Sequence, residues 1–219
     1  MANEERHSDA DIPPLLTDEE EIAEREAANA LLQYDAMDAE ILTAVERERS
    51  YRIRPSMIQA LHRIAMDGID SYAENWRPGS VKITKSRHKP PHASTVAVHI
   101  EEMCDYINSS WDDVSPVELA AYTLWRICWI HPFTDGNGRT ARAVSYLVLC
   151  AALKTKLPGR ETVPEFISNN KTPYYEALEA ADDALAEGKN EAGAVKILSE
   201  YISDLLAKQL LEIHQKATN

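Results

Sequence analysis

Apolar residues recur at intervals of three or four along most of this chain, the spacing that places them on one face of an α-helix. In the N-terminal region the apolar positions are Leu31, Tyr34, Met37, Ile41 and Val45. Thr17 with Glu20 has the pattern of a capping box. The pattern therefore predicts an acidic helix within residues 17–54. Residues 1–16 are polar, contain adjacent prolines and are predicted to form a flexible tail.

Helical spacing continues through the rest of the chain and predicts an all-α bundle with one core. Pro55 opens a helix, and another starts near Thr95. Two later segments, VELAAYTLWRICWI and RTARAVSYLVLCAAL, are apolar around most of their circumference and are expected to be central. Residues 189–219 are predicted to hold a C-terminal amphipathic helix that packs on the core.

One stretch, NWRPGSVKITKSRHKPPHAS, breaks the helical pattern. Val81, Lys82 and Ile83 alternate as in a short β-strand, and two adjacent prolines that follow exclude a helix. The basic residues of the stretch are Arg77, Lys82, Lys85, Arg87 and Lys89. The sequence therefore predicts a small hairpin or loop with a basic face over about residues 79–92.

The charge is concentrated at one end of the chain. The net charge is −13, and residues 1–48 hold 15 acidic and 3 basic side chains, so the rest is nearly neutral. This balance argues against nucleic acid or an anionic membrane surface as a partner. Three widely spaced cysteines in apolar segments, and a start without an apolar signal core, predict a cytoplasmic protein with reduced thiols.

Residues 131–142, HPFTDGNGRTAR, concentrate unusual residue types between the two most apolar helices. Gly136 and Gly138 allow positive φ angles and a close approach to the backbone. The helix that follows starts with unpaired N–H groups, which favour anions. Arg139 and Arg142 share one face of its first turns, where cations are unfavourable unless an anion is bound. The arrangement predicts a polyphosphate site.

Two further side chains complete a candidate reaction centre. Asp135, just before the glycines, is a carboxylate of the kind that holds Mg²⁺ beside bound phosphates. His131 ends the preceding helix and has a reference pKa near neutrality, so it can accept a proton from a hydroxyl. Each residue alone has an ordinary structural explanation, and the prediction depends on their concentration within one short segment.

The segment resembles the signature of the Fic family, H-P-F-x-[D/E]-G-N-G-R-x-x-R, at every fixed position. The resemblance extends over about residues 55–188, where VKITKSRHKPPH looks like the family's flap and YYEALEAAD like the helix after the motif. It implies a Fic-type helical bundle with a small β-hairpin flap. It also implies an Mg²⁺-dependent enzyme that transfers AMP from ATP to a Ser, Thr or Tyr hydroxyl of a target protein and releases pyrophosphate.

The resemblance assigns roles to the motif residues. His131 would deprotonate the target hydroxyl and Asp135 would hold Mg²⁺. The residues that would bind the ATP phosphates are Gly136, Asn137, Gly138, Arg139 and Arg142. Asn170 and Tyr174 would lie near the nucleotide base. Val81, Lys82 and Ile83 of the flap would bind a target chain as an added strand.

Several alternatives stay open at the level of sequence. One alternative is that the same scaffold transfers another phosphate-containing group, such as phosphocholine, or removes AMP. Another is a catalytically idle nucleotide-binding regulatory module. The family's inhibitory pattern [S/T]-x-x-x-E-[G/N] is not found, so Glu24 or Glu26 of the N-terminal helix is the candidate partner of Arg142. The alternatives are inhibition by a separate antitoxin-type protein, inhibition by self-association, or no inhibition.

Overall fold

The structure is a computed structural model and describes residues 6–10, 15–159 and 161–217. These residues form nine α-helices and a two-stranded sheet, confirming the all-α fold class with a small β element. The strands are β1 (Ser8–Ala10) and β2 (Val81–Ile83). The helices are α1 (Glu19–Arg47), α2 (Pro55–Ala65), α3 (Val96–Ser109), α4 (Pro116–Ile130), α5 (Asn137–Ala152), α6 (Val163–Asn169), α7 (Lys171–Ala186), α8 (Glu191–Ala194) and α9 (Lys196–Ala217).

The core is centred on the packed pair α4 and α5, as their composition predicted. Every residue of α4 from Leu119 to Ile127 is buried, including the polar Thr123 and Arg126. Helices α1 and α2 cover α5, while α3 and α9 pack against α4. Because α4 and α5 are enclosed by other helices, the short loop that joins them is held between two rigid elements.

Helix ends follow local sequence signals, with one exception. The capping box at Ser115 and Glu118 forms as predicted at the start of α4. At α1, however, the cap is Asp18, whose carboxylate accepts hydrogen bonds from the N–H groups of Glu20 and Glu21, so the capping box predicted at Thr17 is wrong. An ionised carboxylate is a stronger acceptor at the positive end of a helix than a hydroxyl is.

The apolar face predicted for α1 is buried at Met37 and Ile41 but not in its N-terminal half. Leu31 and Tyr34 are 71% and 40% exposed, whereas Asn29 and Gln33 are buried beside Met37. The two buried amides donate hydrogen bonds, at 2.8 and 3.1 Å, to main-chain carbonyls in and just beyond the last turn of α2. The Asp67 carbonyl lies beyond the end of α2, so a buried amide can stabilise this contact where leucine and tyrosine could not.

The small sheet joins two distant parts of the chain. β1 pairs antiparallel with β2, and Ser8 lies opposite Ile83. The flap thus contributes one strand, and the second comes from residues 8–10, within the tail predicted to be flexible. Residues 1–5 and 11–14 of that tail lie outside the described residues. None of the helices in the described ranges combines the length and apolar character that a membrane span requires.

Candidate active site

The loop between α4 and α5 is fixed by its own side chains. His131 ends α4 in the left-handed region, at φ 51° and ψ 60°, and Gly136 precedes α5 at φ 69°. Phe133 is completely buried. The amide of Asn137 donates to the Phe133 carbonyl at 3.0 Å and accepts from its N–H at 2.9 Å. The loop is therefore anchored at its centre and at both ends.

His62 of α2 packs against this loop. It was not identified from the sequence. Its ring stacks on Phe133, its Nδ1 accepts the Glu74 N–H at 3.0 Å, and its Nε2 donates to the Asp135 carbonyl at 2.9 Å. Burial lowers the pKa of His62 to about 4, so the ring is neutral at pH 7. A Cβ atom on Gly136 would lie 3.2 Å from this Nε2. A histidine on an otherwise apolar helix face was the only signal in the sequence.

Arg77 joins the end of α4 to the flap through hydrogen bonds to main-chain carbonyls. The sequence placed it on an exposed basic face, but it is 3% exposed, which corrects that reading. Its Nε donates to the His131 carbonyl at 2.8 Å and Nη1 to the Gly79 carbonyl at 2.7 Å, while Nη2 donates to the Pro91 carbonyl. These carbonyls lie at a helix C-terminus and in a loop, and one guanidinium can satisfy several of them at once.

The imidazole of His131 is neutral, and one of its nitrogens is free to accept a hydrogen bond. Nδ1 lies 3.3 Å from the Cys128 carbonyl, which can only accept, so we assign the ring proton to Nδ1. Nε2 is then free to accept and lies 2.8 Å from Ser8 Oγ. Burial lowers the pKa of His131 to about 3, with the nearby Arg77 charge as a smaller cause. The geometry leaves a lone pair directed at a hydroxyl.

The first turns of α5 hold the positive charge of the site. Arg139 Nη1 lies 3.1 Å from Glu26 Oε1 without an aligned hydrogen bond, and Nη2 lies 3.6 Å from Asp135 Oδ2. Glu26 was expected to reach Arg142 and contacts Arg139 instead, because Arg139 is in the first turn of α5, on the side covered by α1. Within the described residues no carboxylate forms an ion pair with Arg142, and Glu24 is exposed elsewhere.

One cavity of about 480 Å³ brings these groups together, a size typical of ligand sites. The predicted residues that line it are Ile83, His131, Asp135, Gly136, Asn137, Gly138, Arg139, Arg142 and Tyr174. Asn170 is not among the lining residues: it is exposed at the junction of α6 and α7, and its place by the nucleotide stays a prediction. Lining residues to which the sequence assigned no role include Ser8, Lys171 and Tyr175.

Asp135 is suited to a single-carboxylate metal site. Among the described residues, no group of three or more His, Cys, Asp or Glu side chains is gathered for a metal ion. The Asp135 carboxylate is 48% exposed beside the start of α5. Mg²⁺ commonly binds through one or two carboxylates together with substrate phosphates and water. The donor set therefore fits a metal that arrives with a nucleotide.

Ile83 of the flap strand lines the cavity, whereas Val81 and Lys82 are not among its lining residues. Val81 and Ile83 are each 9% exposed, while Lys82 points to solvent. The edge of β2 predicted to receive a target chain is occupied by β1. Further along the flap, Arg87 pairs with Asp183 at 3.0 Å.

Comparison with known proteins gives a consistent result. Residues 52–149 match the model of the Fic/DOC family. Eighty residues are 35% identical to Protein adenylyltransferase Fic of Nematostella vectensis, and 155 residues are 27% identical to Protein adenylyltransferase Fic of Drosophila willistoni. The matches cover 36% and 70% of this chain, and the chain spans only 19% and 28% of those relatives.

Solved structures with a similar fold include two bacterial proteins. A Fic domain containing signaling protein from Bacteroides thetaiotaomicron has a TM-score of 0.67 at 23% identity, covering 85% of this chain and 70% of that chain. A Fic family protein from Desulfovibrio desulfuricans has a TM-score of 0.64 at 22% identity, covering 93% and 56%.

The fold and the site define a helical domain that presents a histidine, a glycine-lined helix N-terminus and two arginines to a single cavity. Residues 52–149 of this chain are similar to the Fic/DOC family, whose model they match.

Proposed function

We propose that this protein transfers AMP from ATP to a Ser, Thr or Tyr hydroxyl of a target protein and releases pyrophosphate. The observation that carries the proposal is the meeting, in one cavity, of a neutral imidazole that faces a hydroxyl at 2.8 Å and a helix N-terminus flanked by two arginines. Such an arrangement pairs a proton acceptor with a site for the charge of a polyphosphate.

The reaction divides between the two ends of the cavity. His131 Nε2 takes the proton of the acceptor hydroxyl as its oxygen attacks the α-phosphorus of ATP. The bond from that phosphorus to the oxygen bridging to the β-phosphate breaks, and pyrophosphate leaves. The first N–H groups of α5, with Gly136, Asn137 and Gly138, bind phosphate oxygens. Arg139 and Arg142 hold the outer phosphates.

Asp135 would hold Mg²⁺ against the ATP phosphates. The metal would supply positive charge that stabilises the leaving pyrophosphate. The carboxylate already contacts Arg139 at 3.6 Å, so the chain itself keeps it at the phosphate end of the cavity.

Gly138 favours transfer from the α-phosphate. A Cβ atom at this position would lie 3.3 Å from Arg142 Nη1, so a larger residue would displace that guanidinium. The names of the relatives, protein adenylyltransferase, point to the same transfer. The target protein would bind by strand addition to β2, at the edge that β1 holds.

Transfer is tested with the purified chain, ATP labelled at the α-phosphate, Mg²⁺ and a cell extract. Protein-bound label is expected, and His131→Ala should abolish it without unfolding the protein. His92→Ala is the matched control, because His92 is exposed and bonds only with nearby main-chain and Ser94 groups. Label from γ-labelled ATP or from CDP-choline, in place of α-labelled ATP, would assign a different group. Unchanged labelling by His131→Ala would refute the assigned base.

A further inference from the structure

We propose that Ser8 of this chain is itself an acceptor of the transferred group, so that the protein modifies its own N-terminal segment within one molecule. The inference rests on the proposed function and goes beyond it by naming an acceptor. Nothing in the sequence pattern distinguished Ser8, because it lies in a short polar segment far from the motif.

The Ser8 hydroxyl occupies the position that an acceptor requires. Its Oγ lies 2.8 Å from His131 Nε2, the nitrogen that carries no proton, so the hydroxyl donates to it. Asn137 Nδ2 lies 3.5 Å away and donates to the same oxygen. Ser8 therefore lies between the proton acceptor and the first residue of α5, where the phosphates are proposed to bind. Among the described residues, it is the hydroxyl in hydrogen-bond contact with His131.

The pairing with the flap fixes which side chain reaches the histidine. His7 is held at both main-chain groups by Thr84: its N–H donates to Thr84 Oγ1 at 2.8 Å, and its carbonyl accepts from the Thr84 N–H at 2.9 Å. Ser8 then lies opposite Ile83 and turns inward, while His7 and Asp9 are exposed. A slip of one residue would replace the hydroxyl by an imidazole or a carboxylate.

A second anchor holds the segment at its N-terminal side. The Arg6 guanidinium pairs with Glu179 of α7 and lies 4.4 Å above the ring of Tyr175. The Arg6 N–H also reaches the Tyr175 hydroxyl at 3.4 Å. A strand that merely covered the flap would need neither this anchor nor a hydroxyl at this register. The contacts instead resemble those of a bound substrate peptide, with a side-chain pocket before the reacting residue.

The covalent connection favours reaction within one molecule. Four residues of sequence separate Ala10 from Leu15, whose N–H donates to the Ile69 carbonyl at 3.2 Å beside α2. Ser8 is thus tethered close to its site, and its effective concentration there exceeds that of a free peptide.

The step balances with ATP as the co-reactant. A bond forms between Ser8 Oγ and the α-phosphorus, and the bond from that phosphorus to the oxygen leading to the β-phosphate breaks. The Ser8 proton passes to His131 Nε2, and pyrophosphate carries away the leaving electron pair. The product is a phosphodiester on Ser8.

The test uses the full chain with ATP and Mg²⁺, followed by intact mass measurement and peptide mapping. One adenylyl group per chain is expected on Ser8, absent in Ser8→Ala and retained in Ser8→Thr. Ser203→Ala is the matched control, since Ser203 is an exposed serine on α9. The fraction modified per unit time should not change over a tenfold dilution of the protein.

The outcomes separate this inference from the proposed function. Label on another residue, or on an added protein while Ser8 stays unmodified, overturns the inference and leaves the proposed function standing. A rate per molecule that rises in proportion to protein concentration overturns transfer within one molecule. Modification of Ser8 from a donor other than ATP supports the acceptor and overturns the proposed donor. The assignment of Ser8 as the acceptor is supported if Ser8→Ala accepts no label while its unfolding midpoint is unchanged and the other variants are labelled.

Discussion

The imidazole of His62 lies flat against the ring of Phe133, with the ring centroids 3.6 Å apart and the planes 1° from parallel. This contact joins α2 to the loop that carries His131, so the geometry of the site depends on a residue outside the motif. Stacking and two hydrogen bonds act at the same buried ring.

Replacing His62 is therefore expected to destabilise the whole domain. His62→Ala removes a fully buried ring and leaves the Glu74 N–H without its acceptor, so the free energy of unfolding should fall by about 2–4 kcal/mol. Urea unfolding followed by circular dichroism measures the change. His92→Ala, at an exposed site, should stay close to the wild type, and an equal midpoint for both variants would contradict the role of His62.

Stability should also depend on pH through the two buried histidines. The pKa values of His62 and His131 are lowered to about 4 and about 3, so below pH 6.5 the unfolded chain binds protons that the folded chain does not. Their contribution is complete above the unfolded pKa and is lost as the pH falls toward the folded values. Each histidine should remove up to about 1.4 kcal/mol per pH unit in that window.

The pH effect is measured as urea midpoints and slopes at pH 7, 6 and 5. His62→Gln removes one of the titrating groups, so its stability should fall less steeply with pH than that of the wild type. The exposed His92→Ala variant should keep the wild-type dependence. Parallel curves for wild type and His62→Gln would show that His62 is not held neutral in the folded state.

Alanine substitutions at three glycines distinguish the cost of backbone strain from the cost of steric overlap. Gly136 has φ 69°, and an added Cβ would lie 2.6 Å from Met66 Sδ; Gly188 has φ 89° with open space, and Gly79 has open space without a positive φ. Alanine should cost about 1–2 kcal/mol at Gly188, more at Gly136 and little at Gly79. Thermal and urea unfolding give the order. A Gly136→Ala variant as stable as Gly188→Ala would contradict the close packing on Met66.

Glu26 is expected to compete with nucleotide for Arg139. The two groups are 3.1 Å apart, and Glu26 lines the cavity. Glu26→Gln should tighten binding of a non-hydrolysable ATP analogue about two- to five-fold, a modest gain because the carboxylate is partly exposed and screened. Titration calorimetry measures the affinity, and Glu24→Gln, on the exposed side of α1, is the control. Equal or weaker binding by Glu26→Gln would argue against competition.

Arg77 and Arg87 should differ sharply although both lie in the same basic stretch. Arg77→Ala leaves several buried carbonyls without donors and is expected to cost about 3 kcal/mol or more, and Arg77→Lys should recover little because one ammonium cannot reach them all. Arg87→Ala breaks an exposed pair with Asp183 and should change stability by less than about 1 kcal/mol. Urea unfolding of the three variants decides this, and similar losses for Arg77→Ala and Arg87→Ala would contradict the role assigned to Arg77.

Local sequence signals predicted the features that depend on neighbouring residues. The cap at Ser115, the start of α2 at Pro55 and the apolar helices α4 and α5 each follow from hydrogen bonds or periodicity within a few residues. The motif at 131–142 could be read in the same way, because its glycines, histidine and arginines are adjacent in sequence. Interactions between residues a few positions apart can be predicted from the local sequence.

The remaining features required the tertiary structure. Glu26 could be assigned to Arg142 from sequence, but the packing of α1 on α5 brings it to Arg139. Asn29 and Gln33 are buried because they satisfy carbonyls of another helix, and a periodicity of apolar residues cannot reveal that.

The sequence by itself predicted an all-helical core, a loop with the residues of an anion site and a resemblance to the Fic family. Only the tertiary structure decided what reaches that loop: Ser8 lies 123 residues from His131 in sequence, and His62 lies 73 residues from Asp135. Such contacts form when strands from distant segments pair and when side chains from distant segments pack together in the core. No short stretch of sequence carries the free energy that selects them, because it arises only when the core is assembled.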